Sequence, residues 1–109
     1  MEARSDAPIR SLLADDESLA RLDAFVVSLG EQIDAIQDAE QNGALDEAAK
    51  RAFELATEAT RLGLPPLAQA ATRSGDACRR GDADRAHEEI VALTDVVRRV
   101  RLGHRSGAL

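Results

Sequence analysis

Apolar residues recur along the chain at alternating intervals of three and four, the repeat of one helix face packed against a core. Leu19, Leu22, Val26, Leu29, Ile33 and Ile36 form the first such row. Leu45, Ala48, Ala52, Leu55, Ala59 and Leu62 form the second. A weaker third row runs through Leu67, Ala70 or Ala71, Ser74, and Ala77 or Cys78, and a fourth through Ala86, Ile90, Leu93, Val97 and Val100. No stretch alternates as a half-buried strand would. Asn42-Gly43, Gly63 and Gly81 stand where helices stop, Pro65-Pro66 where one starts, and Asp15 or Asp16 and Asp82 where helices are capped. A short leading helix is expected from Pro8 to Ala14, and a frayed tail from Gly103. Seams of this spacing joined by loops of two to four residues predict an all-α fold: an antiparallel up-down four-helix bundle with a short N-terminal helix laid on it.

Length allows one core. The 109 residues make a single domain, with its packed part over about 9–102 and a flexible tail over 103–109. The two aromatic residues, Phe25 and Phe53, leave that core to aliphatic side chains and alanine. Twenty acids against 14 Lys and Arg give a net charge of −6, and Trp and Tyr are absent. Counterion release and base stacking both lack their residues, which argues against a nucleic-acid partner. Residues 1–47 hold 12 acids and three arginines; residues 79–109 hold seven arginines and five acids. The arginines at 98, 99, 101 and 105 suit the C-terminal end of a helix, where the dipole favours cations. The lone Cys78 excludes an internal disulfide, and no apolar run reaches the ~20 residues that span a bilayer. The expectation is a soluble cytoplasmic chain without a membrane segment.

Conventional catalysis is hard to build from these residues. His87 and His104 have no Cys nearby and form no His-x-x-x-His or Glu-x-x-His pair, so neither a metal nor another cofactor is expected. Cys78 reads as a small core residue rather than a nucleophile. On the second helix, Asp46, Ala49, Phe53, Ala56 and Thr60 lie one residue round from the apolar seam. This stripe is small and weakly polar around one large ring. Phe53 either folds sideways into the bundle as a flanking core residue or stands partly exposed as an anchor for a partner.

Residues 52–63, Ala-Phe-Glu-Leu-Ala-Thr-Glu-Ala-Thr-Arg-Leu-Gly, resemble the signature helix of histidine phosphotransfer (HPt) domains, Ala-His-x-Leu-Lys-Gly-small-small-x-x-Leu-Gly. Ala52, Leu55, Ala59, Leu62 and Gly63 match in register. Asp16-Glu17-Ser18-Leu19 with Phe25-Val26, the Asn42-Gly43 turn and the Arg80-Gly81-Asp82 turn extend the likeness over roughly residues 9–101. The departures are chemical. Phe53 stands at the position of the phospho-accepting histidine and has no nucleophilic nitrogen. Ala56 replaces the lysine that would neutralise phosphate, Thr57 the glycine, and Glu58 a small residue. Ser74 and Gly75 replace a Leu-Glu pair, which predicts looser packing of the third helix.

The resemblance implies a non-catalytic HPt-like module of bacterial-type two-component phosphorelay signalling. It would dock a response-regulator receiver domain or a histidine kinase through Ala49, Phe53, Ala56, Thr57 and Thr60, without accepting phosphate and without enzymatic activity. Two alternatives stand beside this. One moves the phospho-acceptor to His87, although Asp84, Glu88 and Glu89 would repel a phosphoryl group there. The other is a structural or assembly bundle unrelated to signalling. Periodicity leaves the oligomeric state open.

Overall fold

The computed structural model describes residues 7–12 and 16–107. Four helices account for nearly all of them: α1 (Asp16–Gln41), α2 (Leu45–Arg61), α3 (Pro65–Arg79) and α4 (Ala83–Gly107), with no strand among the described residues. The three connections are one turn used three times. Gly43, Gly63 and Gly81 take φ of 73°, 71° and 73°, the left-handed conformation that glycine enters without a Cβ clash. Behind each glycine, the next amide reaches back to a carbonyl five residues earlier: Ala44 to Ala39 at 2.8 Å, Leu64 to Ala59 at 2.9 Å, and Asp82 to Ala77 at 3.3 Å. This is the Schellman arrangement, and it satisfies the last carbonyls of each helix. The same three residues begin the following helices, because their carbonyls accept from Ala48, Ala68 and Ala86. Asp82 adds a side-chain cap, its Oδ1 accepting from the Arg85 amide at 3.1 Å.

The helices close a ring in which α1 and α3 each pack on both α2 and α4. The core follows the expected seams. Leu29, Ala48, Ala52, Leu55, Ala59, Leu67, Ala71, Ala86 and Leu93 are wholly buried. Alanine supplies five of the six buried residues of α2 and three of the seven of α3. Ser74 is the buried polar side chain, and its hydroxyl donates to the Ala70 carbonyl at 3.0 Å. Leu19 departs from its seam: it is 41% exposed at the start of α1. On the α1–α4 seam, Asp23 meets His104, Gln37 meets Thr94 and Glu40 meets His87. Partners therefore descend along α4 as they ascend along α1. No described helix is long and apolar enough to cross a membrane.

Two terminal expectations need correction. The segment 7–12 is not helical; Leu13 and Ala14 of the expected helix lie outside the described residues. The reason is where the backbone donors go. The Ile9 amide donates to Arg99 on α4 at 3.0 Å, and the Leu12 amide to Gly63 in the α2–α3 turn at 2.9 Å. The Ser11 hydroxyl donates to Leu62 at 2.6 Å, and Arg99 Nε to the Ala7 carbonyl at 2.9 Å. These partners sit far along the chain, so the segment runs as a strap, pinned by the buried Ile9 side chain. The strap also explains the other end. α4 continues to Gly107 where a tail was expected from Gly103, and Gly103 is buried under the strap with the Ile9 carbonyl against it.

Candidate functional site

The stripe of α2 that carries Phe53 adjoins α3. Helical spacing brings Ala49, Phe53, Ala56, Thr57 and Thr60 to neighbouring positions, and burial divides them. Ala49 and Ala56 are buried, at 5% and 8% exposure, and form a floor. Phe53 is half-buried, and Thr57 and Thr60 are exposed. The two threonine hydroxyls donate to the carbonyls of Phe53 and Ala56 at 3.0 and 2.9 Å, which takes up their donors. The result is a low-relief surface. A shallow hollow of about 400 Å³ between Thr60 and Ala68, Gln69, Thr72 and Arg73 continues it onto α3.

Phe53 settles sideways toward α3. Its ring lies where a side chain at position 75 would otherwise stand: a Cβ on Gly75 would come within 2.7 Å of Cε1 and Cζ. One turn further along α3, the Arg79 guanidinium covers the ring at 4.7 Å from its centroid. A cation over a ring face is attracted by the ring's quadrupole. The ring is thus both flanking core and surface, gripped between a glycine and an arginine. This corrects the looser packing expected from Ser74 and Gly75. Both are buried, and the missing side chain at 75 lets α2 and α3 come together through the ring. Gly75 and Arg79 are site residues that the stripe on α2 did not reveal. The available signal was a lone glycine inside a helical pattern, which often marks a close approach.

The chemistry around the ring is sparse. Glu58 is half-buried and pairs with Arg61 at 3.7 Å. His87 lies elsewhere, on the α1–α4 seam, with an exposed ring whose Nδ1 is 3.0 Å from Glu40 Oε2. The structure does not bring it to Phe53, which packs on α3. His104 pairs with Asp23, Nε2 to Oδ1, at 2.9 Å. Cys78 is buried, and burial pushes its thiol up, with the Glu40 carboxylate adding to the effect. A thiol held protonated is a poor nucleophile. No group of three or more His, Cys, Asp or Glu side chains among the described residues could hold a metal ion. No protein-family model matches the chain, and no curated protein and no solved structure matches it either.

Proposed function

We propose that this chain is a non-catalytic interaction module of the HPt type, an antiparallel up-down bundle that docks a receiver domain or a histidine kinase in cytoplasmic two-component signalling. It holds its partner without accepting phosphate and competes with phosphotransfer proteins for it. The observation that carries this reading is Phe53, an aromatic ring at the position of the family's histidine, partly exposed beside the alanines and threonines of α2. Such an anchor, ringed by small side chains that exclude water without contributing much themselves, is how binding hot spots are built. The opposed running of partners along α1 and α4 supports the up-down topology.

The test is binding and phosphotransfer measured on the same proteins. Purified receiver domains and kinases are titrated with the wild type, Phe53→Asp and Thr57→Arg. Thr57→Arg crowds the face from an exposed position without touching the core. The expected result is binding of at least one receiver or kinase, weakened at least about tenfold by either substitution. No labelled phosphate should pass from a phosphorylated receiver to the wild type. Label on the wild type that disappears in His87→Ala would instead make His87 the acceptor. Failure of every receiver and kinase to bind more tightly than about 1 mM would overturn the reading.

An assembly role is the second reading. The observation that favours it is the exposed Leu19, which lines a hollow with Ile9, Leu22, Val26 and Val100 and with Asp23 and His104. Sedimentation of the wild type decides it: a stable homo-oligomer dispersed by Leu19→Glu supports assembly.

A further inference from the structure

Several arginines of this chain pair with carboxylates of their own surface. Arg21 pairs with Glu17, Arg51 with Glu47 and Arg61 with Glu58, while Arg73 and Arg85 both reach Glu89. Arg79 is different. No carboxylate of the described residues lies within ion-pair distance of Arg79, and its guanidinium lies over the ring of Phe53. Lys50, the only lysine in the sequence, stands three residues before Phe53 on the same side of α2; it too is exposed and without an acidic partner among the described residues. One unpaired cation thus lies over the ring and a second stands three residues before it on α2, in a protein whose net charge is −6.

We propose that Arg79, stacked on Phe53, is a carboxylate-reading anchor, so that the surface around it takes an acidic patch of a partner protein. This rests on the docking reading above and adds the chemistry of the partner. Stacking holds a long side chain that would otherwise lose rotamer freedom on binding, so less entropy is lost when its planar N–H fork meets a carboxylate. The ring attracts the guanidinium through its quadrupole and leaves N–H donors of the fork for a carboxylate. The overall negative charge turns extended polyanions away at long range, whereas a local acidic patch set in a protein surface meets Arg79 and Lys50 directly. The acceptor is therefore a protein carboxylate rather than a nucleic-acid backbone.

Two arms test this on the full chain. In the first, amide chemical shifts are followed while an aspartate-rich twelve-residue peptide is added, with its asparagine counterpart as control. Shifts are expected to concentrate at residues 50–57 and 75–80. Affinity should fall about tenfold in Arg79→Gln and stay unchanged in Arg101→Gln, an exposed cation on α4. Arg79→Lys should recover only part, because an ammonium lacks the planar fork. Shifts that ignore Arg79→Gln, or tighter binding of a twelve-residue thymidine oligonucleotide at the same face, would overturn the proposal. In the second arm, a receiver or kinase that binds the wild type is titrated against Arg79→Gln at low and high salt. Lower affinity and a weaker salt dependence in the variant are expected. An affinity indifferent to Arg79 removes the anchor and leaves docking standing. If no receiver or kinase binds the wild type, the signalling partner falls, and the peptide arm decides Arg79 independently.

Discussion

The pairing of Phe53 with Gly75 makes a prediction in which one substitution changes sign with its background. Alanine replaces glycine at 75. In an exposed helix interior that change raises stability by roughly 1 kcal/mol, because alanine has the better helix propensity. Here the new Cβ would stand 2.7 Å from Cε1 and Cζ of Phe53, so the ring must swing out. Leaving its half-buried seat forfeits about 1–1.5 kcal/mol, taking half the value of a fully buried aromatic ring. Losing the Arg79 contact forfeits about 0.5–1 kcal/mol more. Gly75→Ala should therefore destabilise the wild type by about 0.5–1.5 kcal/mol net. In a Phe53→Ala background the obstruction is gone, and the same substitution should stabilise by roughly 1 kcal/mol. The coupling energy between the two positions is then about 1.5–2.5 kcal/mol, well above the ~0.3–0.5 kcal/mol scatter of independent sites. Urea denaturation of the four proteins of this cycle, followed by far-ultraviolet circular dichroism, measures it. A thermal shift of about 4–8 °C per kcal/mol gives a second readout. Gly75→Ala stabilising both backgrounds equally would refute the reasoning, because the ring would not then be resting on the glycine.

Other outcomes are as specific. Gly103→Ala sets a Cβ against the Ile9 carbonyl, so the strap over residues 7–12 should detach; trypsin should then cut after Arg10 faster, and unchanged cleavage would argue against the strap. Cys78 has its thiol pushed up by burial, so the folded state holds a proton that the unfolded chain releases first. That contribution to stability is complete below the ordinary thiol range and is lost as pH rises past about 8.5. Cys78→Ala should flatten this alkaline loss, and parallel stability curves for the two proteins would sink the assignment. Asp82→Ala removes the side-chain cap of α4 and should cost about 1 kcal/mol in a urea melt with an unchanged slope.

The four helices were legible because their information is local. A 3-4 row of apolar residues fixes a helix face, and each of the first three rows ends at a glycine that can take positive φ. Asn42-Gly43, Leu62-Gly63 and Arg80-Gly81 became the three Schellman turns. The N-terminal segment was not legible for the opposite reason. Pro8 suits a first helical turn, but the fate of Ile9 and Leu12 is decided by acceptors on Arg99 and Gly63, and no local pattern announces those. Competition between an internal ladder and tertiary partners is settled only once α4 and the α2–α3 turn exist. The same logic removed Leu19 from its row: at the start of α1 the apolar repeat runs past the point where the bundle covers it.

The candidate site divides along the same line. Residues on α2 were found because they share one helix face, and Gly75 and Arg79 were missed because they act from another helix. Gly75 read as a weakness of α3 is a statement about propensity, which is true of the helix in isolation. In the bundle its missing side chain is the seat of the ring. With glycine at 75 the phenyl ring lies down against α3 and under Arg79; with any larger residue it must stand up into solvent. The relief of the face, and the presence of a cation on it, are therefore set by the helix that does not carry the aromatic ring. A docking surface read from α2 alone would place a lone hydrophobic knob there. Read across both helices, it is a ring beneath a guanidinium, and on the proposed docking such a face would meet a carboxylate where a knob would ask for a pocket.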